Sequence, residues 1–253
     1  MSLSGERVST AQDGFNPTWQ RHVAAYKLCA DLLPEESNVL DLGCGVGHSF
    51  HLLAPRQSVG LDADPQALEG QERETVVADM RSLPFADSTF GAVLSIQSIE
   101  HVPDPGRVLE EVRRVMQPDA TAVFVTPNRL TFGRPEEVID PYHYVEYDPD
   151  QLRDLMATWF GEVRILGIFG SRRQLEFVRR ERRTLDRLLR LDPLRVRRWI
   201  PRVARQRLYD KSLRLARRRV APGARDIGVE DFSLADGPLE EALDLVAVVA
   251  HRR

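Results

Sequence analysis

Two periods take turns along the chain. Val23, Ala24, Leu28 and Leu32 recur at helical spacing and predict a helix over Pro17 to Leu33, ended by the turn Pro34 to Ser37. Val39, Leu40 and Leu42 flank Asp41 as in a buried strand, glycines follow at 43, 45 and 47, and Phe50, Leu52 and Leu53 open a second helical pattern. Short apolar runs at Ser58–Asp62, Thr75–Ala78, Ala92–Ile96 and Thr121–Val125 read as further strands. Val108, Leu109, Val112, Val115 and Met116 form an amphipathic helical stripe, with Gln117-Pro118-Asp119-Ala120 as its stop. Asp148-Pro149-Asp150-Gln151 has the residue types of a capped helix start, with Leu152, Leu155, Met156 and Trp159 as the stripe behind it. Gly161–Phe169 reads as a sixth strand, and Ile227–Leu234 with Leu243–Ala250 as a closing edge pair. Strands alternating with helices predict a doubly wound α/β fold with a mostly parallel sheet.

The bulk numbers add a boundary. At 253 residues, with 42% hydrophobic and 29% charged content, the chain suits one large soluble domain. Met1 to Gly14 is polar and without an apolar core, so no signal peptide is expected, and no apolar run approaches membrane-spanning length. Cys29 and Cys44 lack metal-ligand spacing and read as small buried hydrophobes of a reducing cytoplasm. The net charge of −3 is unevenly spread. Residues 172–225 hold 20 basic and 5 acidic residues, +15, against −18 elsewhere. The expected division is a main domain of residues 1–171 and 226–253 and an Arg-rich helical insertion, 172–225, punctuated by Pro193 and Pro201.

The glycines bring in chemistry. A strand that breaks into a glycine turn and then a helix suits a nucleotide, because glycine lets a ligand approach the backbone. The dinucleotide fingerprint needs Gly or Ala at its sixth position, where this chain has His48, which disfavours a nicotinamide dehydrogenase. Asp62 lies 21 residues beyond Asp41, close to the spacing at which an acidic residue meets a ribose.

Read together, Val39 to Gly47 resembles motif I of class I S-adenosylmethionine (SAM)-dependent methyltransferases. Three later segments match in order: Asp62-Ala63, Asp79-Met80, and Gln97 to Asp104. The resemblance implies a Rossmann-like seven-stranded sheet whose last strand is antiparallel and lies between strands five and six. It implies SAM as cofactor and S-adenosylhomocysteine as product, held by Asp41, Gly43, Cys44, Gly45, Gly47, Asp62, Ala63, Asp79, Met80 and Gln97. Asp62 would take the ribose hydroxyls, Asp79 the adenine amino group and Met80 an adenine face. Gln97, Ser98 and His101 would lie near the reacting centre, beyond the carboxyl ends of the strands. Gly91, where the family has an aspartate, and residues 117–120, where it has Pro-Gly-Gly, depart from the pattern. A covering helix before the first strand could turn Arg21 and His22 to the site, although a solvated face is the expectation for both.

Leu130 to Tyr147 is a long aromatic connection. Within it, Pro141-Tyr142-His143-Tyr144-Val145-Glu146-Tyr147 resembles the Pro-x-His-x-x-Glu-[Tyr/Phe] segment of methyltransferases that modify sugars and other small acceptors. His143 is then a general base oriented by Glu146, or the pair pins the loop to the sheet; both readings stand. His101 joins them as a catalytic candidate, and Tyr142, Tyr144 and Asn128 are candidates for binding the acceptor. The expected activity is methylation of a small molecule, foremost O-methylation of a sugar, glycoconjugate or lipid-linked sugar. The alternatives are a SAM-binding protein without turnover that works at a membrane surface through 172–225, and an RNA methyltransferase. The insertion itself reads as a helical lid, a basic surface for anionic lipid, or a nucleic-acid surface, the last disfavoured by its lack of interleaved aromatics.

Overall fold

The computed structural model describes residues 16–132, 138, 140–190, 199–217 and 223–251. Helix α1 (Asn16–Ala30) leads into β1 (Val39–Leu42), β2 (Ser58–Asp62), α2 (Pro65–Leu68), β3 (Thr75–Val77) and β4 (Phe90–Ile96). Then come α3 (Pro105–Val115), β5 (Met116–Pro127), α4 (Arg129–Phe132), α5 (Pro149–Trp159) and β6 (Glu162–Gly170). Helices α6 (Arg172–Arg190) and α7 (Arg202–Arg217) carry the basic segment, and β7 (Phe232–Ala235) and β8 (Asp244–Ala250) complete the sheet.

The sheet is doubly wound, in the order β3-β2-β1-β4-β5-β8-β6-β7. Neighbours from β3 to β5 are parallel, and β8 runs antiparallel between β5 and β6. Among the described residues the sheet has eight strands where seven were expected, and the expected closing pair does not pair. β8 is engaged on both edges by β5 and β6, so β7 can add only outside β6.

Period-two burial explains why the sheet is covered on both sides. Leu40, Leu42, Val93, Phe124, Ala247 and Val249 pack with Val108, Leu109 and Val112 of α3 and Leu152 and Met156 of α5. Their alternates Val39, Leu94, Val123, Val125 and Val246 pack with Ala24, Ala25 and Cys29 of α1. The α5 cap forms as its sequence foretells, with Asp148 accepting from Gln151 N–H and the Gln151 side chain returning to Asp148 N–H.

Two local expectations are corrected. The helix after the glycines is a single 3₁₀ turn, Phe50–Leu53, because Pro55 follows and Ala54 is extended (φ −57°, ψ 147°). Residues 117–120 are no turn: α3 ends at Val115, β5 starts at once, and the pairing jumps from Phe90↔Met116 to Ala92↔Thr121. The extra residues bulge out of β5.

Pro201 stands just before α7 as expected, while Pro193 lies outside the described residues. Among the described residues no helix is long and apolar enough to cross a membrane.

Candidate functional site

The carboxyl ends of β1, β2, β3 and β4 open onto a cavity of about 230 Å³. Gly43, Gly45, Asp62, Ala63, Asp79, Met80, Gln97 and His101 line it, together with Arg81 and Ser98. Eight of the thirteen residues singled out for cofactor or catalysis thus meet at one place.

The glycine turn is built by close approach. Gly43 and Cys44 both donate their N–H to Leu61 O, at 2.8 and 2.9 Å. At Gly43 (φ +72°) a Cβ would stand 2.6 Å from Ser98 Cβ, so the turns that leave β1 and β4 meet there only through glycine. Gly45 (φ +54°) has no heavy atom within 4 Å of where its Cβ would be, and its N–H donates to Asp62 Oδ2 at 2.9 Å. Asp64 N–H donates to Asp62 Oδ1 at 2.9 Å. Two backbone donors therefore hold the Asp62 carboxylate at the cavity wall.

Asp41, Cys44 and Gly47, named with these residues, do not line the cavity. Asp41 alternates with Leu40 and Leu42, so its side chain lies on the α1 face, fully buried. It forms an ion pair with Arg73 (2.7 Å) and accepts from Tyr26 Oη (3.0 Å). Burial pushes the Asp41 carboxyl up from its usual range, against the opposing pull of Arg73 and the Tyr26 hydroxyl. The Cys44 thiol is pushed up to about 12, mainly by burial and then by Asp41, and stays protonated. At Gly47 a Cβ would meet the Gln71 side chain at 2.2 Å, so this glycine makes room for packing. Asp79 is at the cavity, but its carboxylate already accepts from Arg81 Nη2 at 2.6 Å, and that hydrogen bond holds it below the usual carboxylate range.

Gln97 sits at the turn out of β4 with a left-handed backbone (φ +52°). Its Nε2 donates to Asp244 Oδ1 at 2.5 Å, and Arg21 from α1 pairs with the same carboxylate. Arg21 therefore faces inward, contrary to the solvated face expected of it. Asp244 pulls it in, being fully buried at the end of β8 opposite Pro127. An unpaired carboxylate there would be costly.

Next to the cavity lies a buried polar cluster. His143 Nδ1 stands 3.0 Å from Glu146 Oε1, and the His143 ring is 4.9 Å from that of His101. His101 Nδ1 is 3.2 Å from Tyr142 O. Glu100, which the sequence reading passed over, completes the cluster: it is fully buried and accepts from Thr126 Oγ1 at 3.1 Å. Burial pushes its carboxyl up to about 7, against the pull of His143 and its hydrogen bonds. Burial would lower His143, but the Glu146 hydrogen bond and the charges of Glu100 and Asp140 raise it overall. The available signal for Glu100 was its place next to His101 in the segment that follows β4. Arg73 and Asp244 had none, since their partners are remote in sequence.

The acceptor candidates part company. Asn128 is fully buried, donates to Leu239 O (2.7 Å) and Ala242 O (2.9 Å), and accepts from Leu130 N–H. Its amide is spent on pinning the end of β5. Tyr142 Oη donates to Asp210 Oδ2 of α7 at 2.8 Å, and the half-exposed Tyr144 ring lies 3.5 Å beneath the Arg202 guanidinium.

Residues 40–124 match the model of a methyltransferase domain family. A Mycobacterium tuberculosis protein named a probable S-adenosylmethionine-dependent methyltransferase is 31% identical over 178 residues, covering 67% of this chain and 65% of that protein. A Mycolicibacterium smegmatis protein, likewise named a probable S-adenosylmethionine-dependent methyltransferase, is 30% identical over 178 residues and is covered to 69% of its length. The chain belongs to the SAM-dependent methyltransferases. Its match spans 65% of the length of the M. tuberculosis relative. The fold of this methyltransferase-family chain is that of a Thermotoga maritima SAM-dependent methyltransferase crystal structure: TM-score 0.62 at 16% identity, over 94% of this chain and 92% of that one. The family's cofactor, SAM, fits the cavity's chemistry. Open space at Gly45 lets a ligand reach the backbone, and the Asp62 carboxylate is fixed beside it.

Proposed function

We propose that the protein transfers the methyl group of SAM to a hydroxyl of a small polyhydroxylated acceptor, a sugar or glycoconjugate. The observation that carries this reading is the His143–Glu146 pair, packed against His101 at the edge of the cofactor cavity. SAM supplies an electrophilic methyl on a sulfonium. The protein's residues align the partners and help the hydroxyl lose its proton.

In this reading Asp62 takes the ribose hydroxyls, with Ala63 beside it. Gly43 and Gly45 give the cofactor backbone access, Met80 packs on adenine and Asp79 accepts from its amino group. Gln97 lies below the methionine portion. The acceptor's proton leaves toward the cluster of Glu100, His101 and His143, which Glu146 orients. Residues 1–171 and 226–253 act as the transfer domain, and 172–225 as a lid. The lid role is supported by α7, whose Arg202 donates to Pro141 O (3.0 Å) and Tyr142 O (2.9 Å), clamping the loop that carries His143.

A second reading of the insertion has its own support. Trp199 (86% exposed), Val203 and Leu208 stand open to solvent beside exposed Arg207 and Lys211. Apolar and basic groups mixed on one surface suit a lipid-linked, anionic acceptor at a membrane. Salt-sensitive liposome binding that is lost on deleting 172–225 would support it.

The test begins with thermal unfolding alone and with SAM, S-adenosylhomocysteine or NAD. Ligand at 100 times its dissociation constant adds about 2.7 kcal/mol, roughly 5–10 °C for a chain of this size. Both adenosyl ligands should shift the transition, NAD should not, and Asp62→Ala should lose most of the shift. Labelled SAM is then offered with sugars, glycolipids and RNA. Methyl transfer to RNA alone, or to none of these, would sink the sugar reading.

A further inference from the structure

We propose that Glu100, His101 and His143 bind a divalent first-row transition-metal ion at the acceptor edge of the cofactor cavity. Each residue offers one ligand atom, and the three atoms lie within 4.8 Å of one another. Ligands ~2.1 Å from one tetrahedral ion stand roughly 3.4 Å apart, so side-chain shifts of about an ångström or a little more close the set on a metal.

Three observations beyond proximity point to a cation. The first is Glu100. It is fully buried, its Oε2 accepts from Thr126, and its Oε1 has no hydrogen-bond partner. A buried carboxylate oxygen left without a partner costs about 1–3 kcal/mol or more, and an ion beside it removes that cost. Glu146 Oε2, in the same cluster, is likewise buried without a partner.

The second is the way both imidazoles are held. His101 Nδ1 faces Tyr142 O, and His143 Nδ1 faces Glu146 Oε1. A carbonyl and a carboxylate oxygen only accept, so in each ring Nδ1 carries the hydrogen. In the neutral imidazole the lone pair is then on Nε2. A ligating histidine whose other N–H is bonded to a carboxylate or a carbonyl is the usual outer-shell arrangement of protein metal sites. It occurs here twice, on histidines brought together from segments forty residues apart in the chain.

The third is the donor set. Two imidazoles and one carboxylate suit Zn²⁺, Fe²⁺, Co²⁺ or Mn²⁺ rather than Mg²⁺ or Ca²⁺, and three ligands leave open coordination positions. His101 also lines the cavity, so the site adjoins the space where an acceptor would meet the methyl group.

The role of the ion rests on the proposed function; its binding does not. An acceptor with two neighbouring oxygens, such as a vicinal diol, would fill the open positions. Lewis-acid polarisation then weakens the O–H bond of the bound hydroxyl. With its three residues engaged as ligands, the cluster no longer takes the proton, which goes to water instead; the oxygen forms the C–O bond, and the sulfur keeps the electron pair of the broken S–CH₃ bond. His143 then serves as ligand, with Glu146 its positioning residue.

The test uses the untagged full chain, stripped with chelator, then titrated with Co²⁺ alone or Zn²⁺ alone. The readouts are the visible absorption of Co²⁺ and the metal retained through gel filtration. Wild type should hold about one ion per chain with an absorption of low-symmetry Co²⁺. Glu100→Gln, a near-isosteric change, and the His101→Ala/His143→Ala double variant should retain none. Glu146→Gln should bind ~10–100-fold more weakly. The SAM-induced thermal shift is measured on every sample and shows that each variant is folded with its cavity intact.

Wild type that keeps the SAM shift but retains no metal overturns the site, as does a double variant that binds as wild type does. Wild type that binds metal without a SAM shift leaves the site standing and breaks the proposed function instead. Metal that binds and can be removed without loss of methyl transfer overturns the acceptor-chelating role.

Discussion

The two sides of the cavity are built by different means. On the cofactor side, Gly43, Gly45 and Asp62 come from two adjacent parallel strands, and the work is done by backbone: left-handed glycines, N–H donors and open space. On the side that the proposed function gives to the acceptor, Glu100, His101, His143 and Glu146 are side chains from two distant segments, with two buried carboxylate oxygens unpartnered. A nucleotide-like ligand can be met by main chain that any suitable turn supplies, so that half is compact in sequence. An acceptor hydroxyl needs particular side chains in particular protonation states, and those have to be brought together by the fold.

The sharpest way to separate the halves is His143→Ala. Methyl transfer should fall by ~10²–10⁴-fold, while the SAM-induced thermal shift stays close to that of wild type. Full turnover in this variant would remove His143 from the chemistry.

Next in size is a change beneath the cofactor side. Arg73→Met leaves Asp41 buried without its cation and should cost about 3–5 kcal/mol in thermal or denaturant unfolding. SAM should recover part of that, since the cavity wall itself is untouched. A loss under about 1 kcal/mol would mean that Asp41 is protonated in the native state, in line with the upward push of burial.

A smaller effect is expected where α7 grips the acceptor loop. Arg202→Ala removes two hydrogen bonds to loop carbonyls and the stack on Tyr144. At this partly exposed position, stability should change by about 1 kcal/mol or less. The acceptor KM should rise with the SAM shift unaltered. An unchanged KM would argue against the lid.

The smallest effect calibrates the rest from outside both halves. Glu111 on α3 is held below the usual carboxylate range by its Arg114 hydrogen bond and by Leu83 N–H. Its folded pKa is below its unfolded one, so its contribution is full above about pH 4.3 and is lost as pH falls through the folded value. Glu111→Gln should flatten that part of the acid unfolding curve and leave the SAM shift as it was. An acid limb identical to wild type would break the assignment.

The legibility of the molecule follows the same divide. The strand at Val39–Leu42, the glycine turn, Asp62 and the Asp148 cap were readable because period, turn chemistry and capping act over a few residues. The helical spacing of Phe50, Leu52 and Leu53 lasts only one 3₁₀ turn, because Pro55 two residues on outweighs it. The hydrogen bonds of Asn128 and Tyr142 go to the 239–242 segment and to Asp210, partners too remote in sequence to be read from their neighbourhood.

By itself, the sequence determined the doubly wound class, the first five strands along the chain, the family and its cofactor, all carried by short-range periodicity and one contiguous motif. Only the tertiary structure decided the eighth strand at the edge of β6, the inward turn of Arg21 to Asp244, and the meeting of Glu100 with His101 and His143. Each depends on which groups from far along the chain share one low-dielectric space. There a charge or a lone pair must find a partner, and the identity of that partner is not written near it in the chain.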